Sequence, residues 1–241
     1  MIAAIWLVAT VLLATFYYGN KLVLAALFRV PYRRGGVYDS VPRGYGRFLL
    51  RANRLRVRLV HGERLNGVQP CVYIANHSSW LDPLAVVEVL PDSVRFTPKI
   101  ELLRVPLFGD ALRAGKHLAI DRHNRASAVA AYEQAAAMIR EGISAIVFPE
   151  GTRSRDGNLQ EFKKGPFVLA IVAQVPVVPL WIAGARDALP RGTLRLRPGP
   201  IEVRVGSPVP TTGLTYEDRD ELMGRCREAM EGLRETGDGR R

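Results

Sequence analysis

In the string Asn76-His77-Ser78-Ser79-Trp80-Leu81-Asp82, a histidine and a carboxylate follow directly on the apolar run 71–75. Such a pair is the equipment of a general base, with imidazole to take a proton and carboxylate to orient the ring. Five residues apart on one helix, the two side chains would point about 140° away from each other, so the chain must bend between them. A strand-to-helix turn supplies the bend, and Asp82-Pro83 reads as the N-cap and first position of a helix over 84–90. Asp82 thus fits two roles, partner of His77 or plain helix cap.

Polar clusters also close other apolar runs. Lys99 follows 94–97, Asp121-Arg122 follows 118–120, and Glu150-Gly151-Thr152-Arg153 follows 144–148. In an open parallel sheet the carboxyl ends of the strands share one edge, and ligands bind there. His77, Lys99, Arg122 and Arg153 then converge on one crevice. Three cations around one histidine suit a substrate that carries phosphate, because Arg forks grip its oxygens and Lys adds a point charge. Gly151 reads as a backbone position that a Cβ would block. His117 and His123 flank Asp121 as rival bases, and Trp80 and Trp181 read as residues in or beside the core.

The elements that must position these groups are strands at 56–60, 71–75, 94–97, 118–120, 144–148, 177–182 and 201–205, alternating with helical stretches. That alternation predicts an α/β fold with a mainly parallel central sheet and flanking helices. The Ala-rich stretch 126–140, closed by Gly142, is a crossover helix. Leu222, Cys226, Met230 and Leu233 give the last helix one apolar face, and Thr215 with Asp218 caps it.

With 241 residues, 48% of them hydrophobic and 24% charged, the chain can bury one core, placed at 56–235, with an appended N-terminal segment and a flexible tail at 236–241. Its two cysteines, Cys71 and Cys226, are too few for a disulfide framework, which fits a reducing compartment. The four histidines show no zinc-like spacing, and no metal is expected. Net charge is +11, and residues 29–64 hold ten arginines against only Asp39 and Glu63. This basic stretch, with a connector at 31–55, abuts an apolar segment at 1–30 and suits an anionic membrane surface. It has neither a reading helix nor an aromatic ribbon, so nucleic acid is not the expected partner.

No Lys or Arg precedes Lys21, which argues against a cleaved signal peptide. Residues 1–30 then form either one spanning helix of about 20 apolar residues or, broken at Gly19-Asn20, two short helices lying in one leaflet. Both arrangements put the domain at the cytoplasmic face of the cell membrane.

Four blocks carry a resemblance: Asn76-His77-Ser78-Ser79-x-x-Asp82; Lys99-x-Glu101-Leu102 with Pro106, Gly109, Gly115 and Ile120-Asp121-Arg122; Phe148-Pro149-Glu150-Gly151-Thr152-Arg153-Ser154; and Val175-Pro176-Val177-Val178-Pro179. In this order they resemble the glycerophospholipid acyltransferase family, most closely its bacterial lysophosphatidic acid acyltransferases. The resemblance is clear over 71–180 and looser over 55–235. The N-terminal apolar pair is similar in character to the family's membrane-embedded helices. Ser78 departs from the Gln that many members carry, at a variable position.

The resemblance implies acyl transfer from a thioester, carried by acyl-CoA or acyl-carrier protein, to the free hydroxyl of a lysophospholipid acceptor. His77 would act as base and Asp82 as its orienting partner. Lys99, Arg122, Glu150, Gly151, Thr152 and Arg153 would bind substrate, Glu150 either at the acceptor, beside Arg153, or as a turn carboxylate. Ser78 and Ser79 lack a Gly-x-Ser-x-Gly elbow, which favours direct transfer over an acyl-serine. Backbone N–H groups after His77 or around Gly151 would meet the developing oxyanion. Other acceptors, such as a lyso-ornithine lipid or glycerol 3-phosphate, fit the same chemistry, and a non-catalytic lipid-binding module is the alternative outside enzymes.

Overall fold

The computed structural model describes residues 2–91, 93–117 and 125–235, the last stretch without the side chains of 125–131. In chain order the elements are α1 (Ile2–Leu27), α2 (Val37–Ala52), β1 (Arg56–Val60), β2 (Val72–Ala75), α3 (Asp82–Val89), β3 (Val94–Phe96), α4 (Phe108–Ala114), α5 (Arg125–Arg140), β4 (Ser144–Val147), α6 (Gly165–Ala173), β5 (Val177–Ala183), α7 (Ala185–Ala188), β6 (Pro200–Val205) and α8 (Arg219–Glu235). The expected strand at 118–120 and the tail at 236–241 lie outside the described residues.

The six strands form one sheet in the order β1-β6-β5-β2-β4-β3. The fold is α/β and mainly parallel, with one reversal. β5, β2, β4 and β3 run together, whereas β6 pairs antiparallel with β5 and carries β1 parallel at its outer side. Sequence patterning accounts for these places. β2 and β4 are buried at every position, as strands covered on both faces must be. β1 alternates charged and apolar residues and sits at an edge.

Successive side chains point to opposite faces, so each face feeds its own core. Tyr73, Ala75, Val178, Leu180, Ile201 and Val203 face α3 and the inner rows of α1 and α2. Val72, Ile74, Ala145 and Val177 face α5, α6 and α8, the last through Leu222, Cys226, Met230 and Leu233. Thr215 and Asp218 form the expected cap ahead of α8, with Thr215 N–H donating to Asp218 Oδ2 at 2.7 Å.

Of the two arrangements expected for the N-terminal segment, the pair of short helices broken at Gly19-Asn20 is not the one that forms. α1 runs unbroken through Gly19-Asn20. Gly19 serves close approach instead, since a Cβ there would meet Leu107 Cγ at 3.0 Å. The basic connector is itself a helix, α2, with Val41, Leu49 and Leu50 buried. α1 is tied to α2 along its length: Trp6 Nε1 donates to Ala52 O at 2.9 Å, Asn53 Nδ2 to Thr10 Oγ1 at 3.2 Å, and Thr15 Oγ1 lies 3.3 Å from Tyr45 Oη. Its other side leaves Ile5, Leu12, Leu13, Phe16 and Leu24 exposed.

α2 is locked to the sheet by a buried ion pair, Arg95 Nη1 to Asp39 Oδ1 at 2.9 Å, with Ser93 Oγ donating to Asp39 Oδ2 at 2.6 Å. Removing one member of such a pair strands a buried charge and costs about 3–5 kcal/mol.

Candidate active site

The site grows from the carboxyl end of β2, where the chain must leave the sheet. Asn76 makes this possible with its side chain. Nδ2 donates to Ile182 O at 3.0 Å and Oδ1 accepts from Ile182 N–H at 2.6 Å, adding one rung to the β2–β5 ladder after the main chain has turned away. His77 then projects from the edge with its side chain 16% exposed.

Within the turn, His77 Nδ1 lies 2.8 Å from Asp82 Oδ2. The same oxygen accepts the N–H groups of Ser78 and Ser79, each at 2.7 Å. Asp82 is fully buried, and a carboxylate with three donors on one oxygen is held by the turn as firmly as it holds the ring. With Nδ1 carrying the proton toward Asp82, the Nε2 lone pair is the ring's free base. Phe148 stacks on the imidazole at 4.1 Å between centroids, with planes 21° apart, which restricts ring rotation. Asp82 opens α3 as its first residue, with Leu81 at the cap, one position from expectation.

The turn after β4 is stitched to this one. Ser154 N–H donates to His77 O at 2.7 Å, and His77 N–H donates to Glu150 Oε1 at 2.9 Å. Glu150 is 3% exposed and also accepts Gln160 N–H at 3.2 Å. Each of its carboxyl oxygens is therefore engaged by a backbone N–H group. Burial raises its pKa to about 7, against the lowering pull of those two N–H donors. Gly151 adopts φ +72, the left-handed region that glycine enters without strain. Thr152 lies half-buried beside it.

Arg153 closes this second turn, its guanidinium 4.3 Å from the ring centroid of Trp80. Trp80 is 56% exposed, so it is a wall of the site and not part of the core, whereas Trp181 is buried as expected. The cationic face of Arg153 is what holds an exposed indole there. One residue had no sequence signal: Arg191 Nη1 donates to Arg153 O across 38 positions of chain.

An acyltransferase family model matches residues 56–183. The chain belongs to the acyltransferase family. It is 33% identical over 219 residues to the 1-acyl-sn-glycerol-3-phosphate acyltransferase of Limnanthes douglasii, across 89% of this chain and 75% of that one. It is 36% identical over 190 residues to 1-acyl-sn-glycerol-3-phosphate acyltransferase alpha of Homo sapiens, across 73% and 67%. Among solved structures it is similar to the 1-acyl-sn-glycerophosphate (LPA) acyltransferase PlsC from Thermotoga maritima, with a TM-score of 0.69 and 25% identity over 92% of this chain and 95% of that one.

The acyltransferase thus gathers His77, Asp82, Glu150, Gly151, Thr152 and Arg153 around two adjoining turns. Lys99 follows β3 by three residues on the same edge, one strand beyond β4, where it is exposed and its side chain makes no hydrogen bond or ion pair among the described residues. Arg122 lies outside the described residues, as do Asp121 and His123. His117 is no rival base: its Nδ1 accepts Phe96 N–H at 3.0 Å, and burial with the Arg95 charge lowers its pKa to about 3. The oxyanion donors also narrow. Ser78 and Ser79 spend their N–H groups on Asp82, and Gly151 donates to Phe148 O at 3.0 Å. Among the described residues around Gly151, the N–H groups of Thr152 and Arg153 have no partner.

Proposed function

We propose that this acyltransferase moves an acyl group from a thioester donor to the free sn-2 hydroxyl of 1-acyl-sn-glycerol 3-phosphate, forming phosphatidic acid. The observation that carries the reading is the 2.8 Å contact between His77 Nδ1 and Asp82, in a turn hydrogen-bonded to the one that carries the Arg153 guanidinium. An alcohol is a weak nucleophile at neutral pH. His77 Nε2 takes its proton as the oxygen attacks the thioester carbonyl, a role worth about 10²–10⁴-fold. The C–S bond then breaks, and the imidazolium returns the proton to the leaving thiolate. Asp82 stabilises the imidazolium in between. Arg153, with Lys99, Arg122, Thr152 and Gly151 around it, holds the acceptor phosphate, and Glu150 braces the His77 backbone.

The donor is a thioester of coenzyme A or of acyl-carrier protein. The membrane is the source of the acceptor, and the exposed apolar row of α1 supplies the attachment. α1 is long and apolar enough to cross a bilayer. Since its inner row is tied to α2 from Trp6 onward, we read it as lying in one leaflet at the cytoplasmic face, with α2's arginines toward anionic headgroups.

Purified protein in vesicles, given 1-acyl-sn-glycerol 3-phosphate and each thioester in turn, should form phosphatidic acid and free thiol in equal amounts. His77→Ala should abolish both with the fold intact. Thiol release without phosphatidic acid would overturn the acceptor, and turnover retained by His77→Ala would overturn the base.

A further inference from the structure

Arg191 stands in the segment between α7 and β6, and β6 reverses direction against β5. That reversal brings the segment back over the edge where β2 and β4 end, which is why a residue remote in sequence reaches Arg153. Arg191 donates through Nη1 to Arg153 O and is otherwise exposed. Arg153 is clamped on Trp80, and its Nη1 is buried with no hydrogen-bond partner.

Among the described residues neither guanidinium has a carboxylate within ion-pair distance. The acids of the two turns are occupied: Asp82 by His77, Ser78 and Ser79, Glu150 by the backbone of His77 and Gln160, and Asp156 by Ser154 Oγ and Asn158. Burial lowers the Arg153 pKa and the neighbouring Arg191 charge lowers it further, against a smaller raising pull from Asp82. Two like charges fastened side by side, each by a contact that does not neutralise it, are a preformed seat for an anion of charge greater than one.

We infer that Arg191 and Arg153 together take the terminal phosphate of the acceptor as a dianion, and that Arg191 sets the preference for a phosphomonoester over a phosphodiester headgroup. The inference rests on the acceptor proposed above. A monoester offers three terminal oxygens and carries nearly two charges above its second pKa of about 6. A diester offers two oxygens and one charge. The buried Nη1 of Arg153 engages one oxygen, and the solvent-facing N–H groups of Arg191 engage another.

The test compares the full-length enzyme with its Arg191→Gln and Arg191→Lys variants, using 1-acyl-sn-glycerol 3-phosphate and a 1-acyl lysolipid with a glycerophosphodiester headgroup. Arg191→Gln should raise the monoester KM by roughly ten- to a hundredfold, the scale of one charge-assisted hydrogen bond. The thioester KM should not move, and the monoester preference should fall by the same factor. Arg191→Lys should recover part of it, because an ammonium restores the charge without the fork. In the wild type the monoester KM should rise as pH falls through about 6, and Arg191→Gln should flatten that rise. An unchanged acceptor preference in Arg191→Gln, or an equal loss of kcat on both acceptors with the pH profile kept, would reduce Arg191 to a brace for the Arg153 loop and overturn the inference. A wild type that does not use the monoester would instead overturn the acceptor reading beneath it.

Discussion

The carboxylate of Glu150 holds the backbone N–H of His77 at 2.9 Å, so the histidine is fixed from its main chain as well as from its ring. Glu150 is thus a positioning residue whose protonation is linked to stability. Its pKa, ordinarily 4.5, is raised by burial to about 7. Folding therefore favours the protonated form. Its contribution is full below pH 4.5 and is lost as pH rises through about 7. Relative to Glu150→Gln, the wild-type denaturation midpoint should fall between pH 4.5 and pH 7. Parallel midpoints for the two proteins across that window would show that this carboxyl does not titrate there.

Asp82 accepts from the His77 ring and from two backbone donors on a single oxygen. Asp82→Asn keeps the shape but no longer stabilises an imidazolium. It should lower kcat by about 10²–10⁴-fold with little change in acceptor KM. Steady-state kinetics decide it, and undiminished turnover would remove Asp82 from the chemistry.

Arg153 stacks on Trp80 beside the His77 turn. Arg153→Ala should raise the acceptor KM by roughly ten- to a hundredfold and leave the thioester KM alone. Trp80→Leu removes only the stacking that steadies the guanidinium, worth about 0.5–1 kcal/mol. Its acceptor KM should therefore rise by only a few fold. If Trp80→Leu cost as much as Arg153→Ala, the indole itself would have to contact substrate.

Leu12 and Phe16 lie on the outer row of α1 and are exposed. Each is worth about 1.5–3 kcal/mol when fully buried. The double variant Leu12→Glu, Phe16→Glu should stay in solution in vesicle sedimentation while its thermal midpoint holds. Undiminished sedimentation with vesicles would move the membrane contact elsewhere on the surface.

Much of the fold was legible because it is local. β2 and β4 announce themselves as short runs with an apolar residue at nearly every position, bounded by turns and polar residues. The clusters at 76–82 and 148–154 were legible as site residues because the carboxyl ends of parallel strands are where ligands bind. α2 was hidden, since its arginines and Pro42 read as a connector while its apolar row needs α1 and α3 to bury it.

The chemistry available can be read from residue types alone, because His77, Asp82 and Arg153 carry their reactive groups wherever they lie, and their turns are set by neighbours a few residues away. How those groups are aimed depends on contacts between distant parts of the chain. The inward turn of Glu150, the exposure of Trp80 and the arrival of Arg191 beside Arg153 all depend on which strands lie next to one another and on the reversal between β5 and β6. Strand order is a long-range outcome of burying two faces of one sheet at once, and no short window of residues encodes it.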